Sequence, residues 1–240
     1  MGEASLADPA KIFVIDHWGE PEWGVNAPDA MQFECNYLYI TDNLLDPTHV
    51  AWVHQSTFGG AGSGTEDTPV ETTVGEGHVT AWRWMLDAAP APFYAPLLKF
   101  QGNADRKQHY EIRFPCHMLA RAIFTPAGAG GQGKPEHPDV FVMDSYNFLT
   151  PVDDKTTRYY WIQLRNVRAD DAELSRQMNT GIRAVFEEDR VVLNAVQKGM
   201  DAKRTPNLDL KIDNAPLRFR RRLAQLIDAE TGDTTRVAAE

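Results

Sequence analysis

The chain has 240 residues, enough for one large domain or two small ones. Apolar residues make up 42% and charged residues 24%, a globular profile rather than a disordered one. The formal charge of -10 argues against a nucleic-acid groove, and no apolar run approaches the length of a membrane span.

The first segment, MGEASLADPAKIF, lacks the charged-then-apolar pattern of a signal peptide and reads as a connector; with only Cys35 and Cys116 for thiols, the expected setting is cytoplasmic. Next, Phe33, Tyr37, Ile40 and Leu44 recur at i, i+4, i+7 and i+11, which predicts a helix from about Gln32 towards the stretch DNLLDPTHVAWVH at 42–54. Pro47 interrupts that helix, because it lacks an N–H and crowds the carbonyl four residues back. Asp46 is then placed to cap a restart, with Pro47 at its first position. The stretch holds His49 and His54, which are either metal ligands or ordinary core histidines; on an ideal helix residues five apart lie about 140° apart.

The middle of the chain changes period. Alternation along TAWRWML and HYEIRF, and the pair DVFVMDSYNFLT and TRYYWIQLRNV around PVDDK, predict antiparallel strands. GGAGSG at 59–64 and PAGAGGQGKPEHP at 126–138 read as loops, either cover over a pocket or plain connections, without the GK[ST] of a phosphate cradle. The last third returns to helix. Leu174, Met178, Ile182, Val185, Phe186, Val192, Leu193 and Val196 form one stripe, and a final helix runs from about Pro216 to Glu230, with RFRRR at 218–222 as a helix face. Helices flanking a sheet-rich middle predict an α+β fold, an antiparallel sheet packed with long helices.

Within the stripe, Asp189 falls about 20° from Ile182 on the helical wheel, whereas Glu188 lies about 240° round. A carboxylate on an apolar face must be compensated, by an arginine such as Arg113, Arg121, Arg158 or Arg165, or by a metal. Two histidines and one carboxylate are the facial triad of non-haem Fe(II) sites. A zinc hydrolase fits poorly, since no Glu stands between the histidines as in His-Glu-x-x-His.

Several motifs carry a family resemblance. DNLLDPTHVAWVH resembles the mononuclear-iron signature of the Rieske non-haem iron aromatic oxygenases, in the branch of vanillate O-demethylase oxygenase and dicamba demethylase. MGEASLADPAKI resembles that family's linker, FLTPVDDKTTRYYWIQLRNV a strand pair near its pocket, FEEDRVVLNAVQKG the segment of its third iron ligand, and DLKIDNAPLRFRRRLAQLIDAE its C-terminal helix. The resemblance implies a helix-grip catalytic domain over 31–240, preceded at 1–30 by a linker from an N-terminal Rieske domain that is missing here. It implies Fe(II) on His49, His54 and Asp189, with Asp46 as the carboxylate bridging towards a neighbour's Rieske centre and Asn43 as a polar residue beside the iron. It further implies hydroxylation or O-demethylation of a small aromatic substrate, NAD(P)H acting through a ferredoxin or flavin reductase, and a homotrimer. The sequence departs from the family by lacking the Cys-x-His and Cys-x-x-His ligands of a [2Fe–2S] Rieske cluster, so a truncated chain or a cluster on another polypeptide is expected. A helix-grip domain that binds a ligand without catalysis is the alternative.

Overall fold

The computed structural model describes residue 5 and residues 8–59, 67–204 and 207–231. Its frame is a seven-stranded sheet, antiparallel throughout: β1 (Gly24–Phe33), β2 (Glu71–Val74), β3 (His78–Ala88), β4 (Ala104–Arg113), β5 (His117–Pro126), β6 (Phe141–Asp153) and β7 (Thr156–Arg165). The order across the sheet is β1-β7-β6-β5-β4-β3-β2. Six strands, β2 to β7, therefore follow as sequential neighbours, and only β1 is carried across to pair with β7 at the far edge. The helices are α1 (Tyr37–Leu44), α2 (Val50–Val53), α3 (Ala172–Ala202) and α4 (Asn214–Thr231). This is the α+β, helix-grip arrangement expected, a long helix held by a curved antiparallel sheet.

The predicted strands are all present, and the PVDDK turn joins β6 to β7. The helix expected from Gln32 begins instead at Tyr37. Met31, Phe33 and Cys35 are buried while Gln32 and Glu34 are exposed, an alternation of two that places Phe33 at the end of a strand. Asn36 then starts α1, its side chain accepting from the Leu38 amide at 2.9 Å. β1 also runs through the boundary drawn at residue 30, since Gly24 to Ala30 already pair with β7. A bulge between Asn26 and Asp29 accommodates Pro28, which an edge strand tolerates.

Two apolar layers follow. The inner face of the sheet closes on α1 and α3 through Phe33, Ile40, Tyr159, Trp161, Ile182, Val185 and Phe186. The outer face carries Leu119, Tyr146, Ile162 and Leu164, covered by Phe13, Ile15, Trp23 and Val25. The Tyr146 hydroxyl accepts from the Asp16 amide at 3.0 Å, so residues 13–25 are fastened to the sheet. On α3, most of the predicted stripe is buried, but Val192 and Val196 are 40% and 37% exposed. α4 seats Phe219 face to face with Phe114, and Arg220 makes a two-pronged ion pair with Asp42 of α1 at 2.8 and 2.6 Å.

Candidate metal centre

α1 ends at Leu45, and the next residues turn rather than continue. Asp46 accepts from the Thr48 amide at 2.9 Å and from the Thr48 hydroxyl, which closes a turn; the helix itself restarts only at Val50, so His49 rather than Asp46 occupies the N-cap position and Pro47 precedes the helix. α2 is a single short turn, followed by a π-helical turn at Gln55–Gly59. The two histidines flank α2, His49 at its start and His54 at its end, where the backbone leaves helical geometry. That break swings the rings together, with centroids 5.3 Å apart.

Asp189 arrives from α3, 4% exposed and on the stripe that also buries Ile182, Val185 and Phe186. Its Oδ1 lies 3.2 Å from His54 Nε2 and 3.6 Å from His49 Nε2, and it accepts from Asn43 Nδ2 at 3.1 Å. One ligand atom from each of His49, His54 and Asp189 falls within 4.8 Å of the others. The arginines that might have neutralised Asp189 are engaged elsewhere. Arg113 pairs with Glu111, Arg121 with Asp144, Arg165 donates to Asn26 and to backbone carbonyls, and Arg158 lies over the Tyr160 ring. Among the described residues, Asp189 has no lysine or arginine within ion-pair distance.

Both imidazoles are oriented from behind. His49 Nδ1 meets the Asp46 carbonyl oxygen, and His54 Nδ1 meets Glu188 Oε2 at 2.7 Å. Since each acceptor calls for a proton on Nδ1, each Nε2 is left facing Asp189. Burial holds His49 below the ordinary histidine range despite the nearby Asp189. Burial also pulls on His54, but the hydrogen bonds and charges of Asp189 and Glu188 outweigh it and raise its pKa. Two nitrogens and one oxygen converging on one point, with an anion that no arginine among the described residues neutralises, fit a first-row divalent metal.

The same residues line a pocket beside the cluster. Its walls include Phe58, Tyr94, Ile182 and Phe186, with Gln108, Tyr110 and Asn147 as polar points. Asn147 is fully engaged: its Oδ1 accepts from the Tyr159 hydroxyl at 3.0 Å and its Nδ2 donates to the Ser145 carbonyl at 2.9 Å. Gln108 Oε1 is held by Arg83 Nε at 2.7 Å, which turns its amide nitrogen towards the Tyr110 hydroxyl, 3.4 Å away. Burial raises the Tyr110 pKa, keeping it a neutral donor.

Not every sequence expectation about the pocket holds. The 126–138 loop lies over a different groove with Trp84 and Lys107, fixed by the Gly130 amide donating to Asp105 at 2.8 Å. The 59–64 loop lies outside the described residues beyond Gly59. Glu188, Gln108 and Tyr110 were not singled out by the sequence. Glu188 sits off the buried stripe, and alternation alone makes Gln108 and Tyr110 inward-facing strand residues without giving them a role.

Residues 33–229 match the vanillate O-demethylase oxygenase C-terminal domain family. A toluene-4-sulfonate monooxygenase system iron-sulfur subunit of Comamonas testosteroni is 31% identical over 236 residues, 98% of this chain and 68% of that protein. The vanillate O-demethylase oxygenase subunit of a Pseudomonas species (strain ATCC 19151) is 31% identical over 237 residues, 95% of this chain and 70% of its own length. The chain thus spans about two thirds of the length of these relatives. In fold, a dicamba monooxygenase crystal structure with 3,6-dichlorosalicylic acid superposes at a TM-score of 0.84 with 23% identity, over 96% of this chain and 66% of that one. A dicamba monooxygenase structure containing non-haem iron and dicamba superposes at 0.75 with 22% identity, over 96% of this chain and 65% of that one. On this match across most of its length, with a two-histidine, one-aspartate cluster inside a helix-grip fold, the chain belongs to the vanillate O-demethylase oxygenase C-terminal domain family, the catalytic domain of Rieske-type non-haem iron oxygenases.

Proposed function

We propose that this domain hydroxylates or O-demethylates a small aromatic compound at a mononuclear Fe(II) held by His49, His54 and Asp189. The observation that carries the reading is the buried Asp189, faced by two imidazole nitrogens and by no arginine or lysine among the described residues. Iron bound there supplies the dioxygen chemistry, while the protein supplies position and shelter. Asn43 Nδ2 holds Asp189 Oδ1, so the carboxylate keeps one orientation towards the histidines. Phe58, Tyr94 and Phe186 give a planar ring an apolar bed and keep bulk water from the reacting carbon. Gln108 and Tyr110 offer neutral donors to an oxygen substituent on that ring. In a demethylation, a methyl C–H of the substrate becomes C–OH, and the resulting hemiacetal collapses to a phenol and formaldehyde. One dioxygen, two electrons and two protons balance the step, with the second oxygen atom leaving as water.

The electrons come from a [2Fe–2S] Rieske cluster outside these 240 residues, which contain no Cys-x-His pair. NAD(P)H feeds that cluster through a ferredoxin or flavin reductase. Asp46 is the port in this reading: it lines a surface groove with Val192 and Val196, and its carbonyl touches the His49 ring. A homotrimer would present that groove to a neighbour's cluster.

Anaerobic Fe(II) titration tests the site. About one iron per chain is expected, lost in both His49→Ala and Asp189→Ala. Iron binding undiminished in Asp189→Ala would give the carboxylate role to another residue. Formaldehyde release from aryl methyl ethers, on mixing with a Rieske-containing partner and reductase, tests the reaction; ligand binding without turnover under those conditions would favour a non-catalytic helix-grip domain.

A further inference from the structure

The two histidines of the cluster are held by different chemistry. Behind His49 stands a neutral backbone carbonyl, that of Asp46, whereas behind His54 stands a carboxylate, Glu188, with Oε2 2.7 Å from Nδ1. Glu188 is itself steadied by the Thr57 hydroxyl, which donates to the same oxygen at 3.3 Å. The ring of His54 is 2% exposed, so this contact is sheltered on the histidine side although the Glu188 side chain is 33% exposed. Consecutive residues of α3 therefore grip one imidazole from both ends: Asp189 meets Nε2 and Glu188 meets Nδ1. On the helical wheel Glu188 points well away from the stripe. It nevertheless reaches His54, which stands at the end of α2.

We propose that Glu188 is a positioning residue for the metal centre: through Nδ1 it fixes the His54 tautomer and makes Nε2 a stronger donor than the carbonyl-backed His49. This rests on the reading of His49, His54 and Asp189 as metal ligands. The physical reason is that a carboxylate accepting the Nδ1 proton pushes electron density across the ring and excludes the tautomer whose Nε2 carries hydrogen. Partners of this kind behind a ligating histidine are typically worth roughly 10–100-fold in metal affinity. Glu187, one residue earlier, is the natural control, because it pairs with Arg190 on α3 and does not touch either histidine.

The test is anaerobic titration of the purified chain with Co(II), read by calorimetry and by the ligand-field absorption of the bound ion. Wild type and Glu187→Gln should bind one Co(II) per chain with equal affinity and the same spectrum. Glu188→Gln, which preserves size but removes the charge, should weaken binding by roughly 10–100-fold and shift the absorption, and Glu188→Ala should weaken it at least as much. Thermal unfolding of the metal-free proteins separates positioning from mere support, since Glu188→Gln should melt within a few degrees of wild type. Unchanged Co(II) affinity and spectrum in both Glu188 variants would overturn the proposal, as would a weakening matched by loss of metal-free stability with no spectral change. If wild type binds no metal, or His49→Ala binds it as well as wild type, the metal reading itself fails and the role of Glu188 falls with it.

Discussion

Asp144 illustrates at the residue scale how strictly the interior pairs its charges. It is fully buried, and Arg121 grips both of its oxygens at 2.6 Å. Arg121→Met should destabilise the protein by about 3 kcal/mol, the lower end for stranding a buried ion, and chemical denaturation measures it. Asp144→Asn in the same chain should recover part of that loss. Glu111 supplies a pH dependence. His109, with Nε2 3.7 Å from Oε2, and Arg113, donating to Oε1 at 2.7 Å, outweigh burial and hold its carboxyl below the usual glutamate range, at about 2. A carboxylate depressed on folding stabilises the native state above its unfolded pKa and loses that contribution as pH falls through its folded one. The difference in urea midpoint between wild type and Glu111→Gln should therefore be constant above about pH 5 and close as the pH drops towards about 2. A gap that widened in acid would contradict the assigned contact. The candidate ligands were visible in the sequence at this scale, His49 and His54 through their motif and Asp189 through its place on the helix. Glu188 and Tyr110 were not, because their roles depend on what another segment brings within about 3 Å.

At the scale of elements, α3 does most of the positioning. Asp171 caps it, Oδ1 accepting from the Leu174 amide at 2.8 Å. Removing that cap with Asp171→Ala should lower stability by about 1 kcal/mol, seen as a shift in the denaturation midpoint. Phe186 packs between Tyr159 and Trp161 of β7, with ring centroids 4.9 and 5.0 Å away, and also walls the cavity. Phe186→Ala should cost about 3–5 kcal/mol and leave a larger cavity. A loss under 1 kcal/mol would mean that the helix is not seated on the sheet as described. Long elements were legible because their periods are long: the stripe of α3 and the alternation of β3, β4, β6 and β7 each repeat several times. β1 was not: the expected linker at 1–30 and the helix expected from Gln32 covered its residues, and only pairing with β7 makes that segment a strand.

For the whole molecule, the proposed electron path makes a prediction about partners. The iron-loaded chain with NADH and a reductase alone should give no sustained turnover, whereas adding a Rieske-containing polypeptide should restore it; formaldehyde assay decides between them. The α+β class, the histidine motif and the family resemblance were all contained in the sequence, because period and local motif are properties of contiguous residues. The order of strands, the crossing of β1 to β7 and the cavity were settled only by tertiary structure. So was the fate of Asp189. From the sequence it was either a salt-bridge partner or a ligand, and the structure engages each of the four candidate arginines elsewhere and sets two imidazoles against it. The physical reason is range: a helical wheel gives the direction in which a side chain leaves its own axis, but which charges lie within about 4 Å of it depends on segments that are more than 100 residues away in the chain.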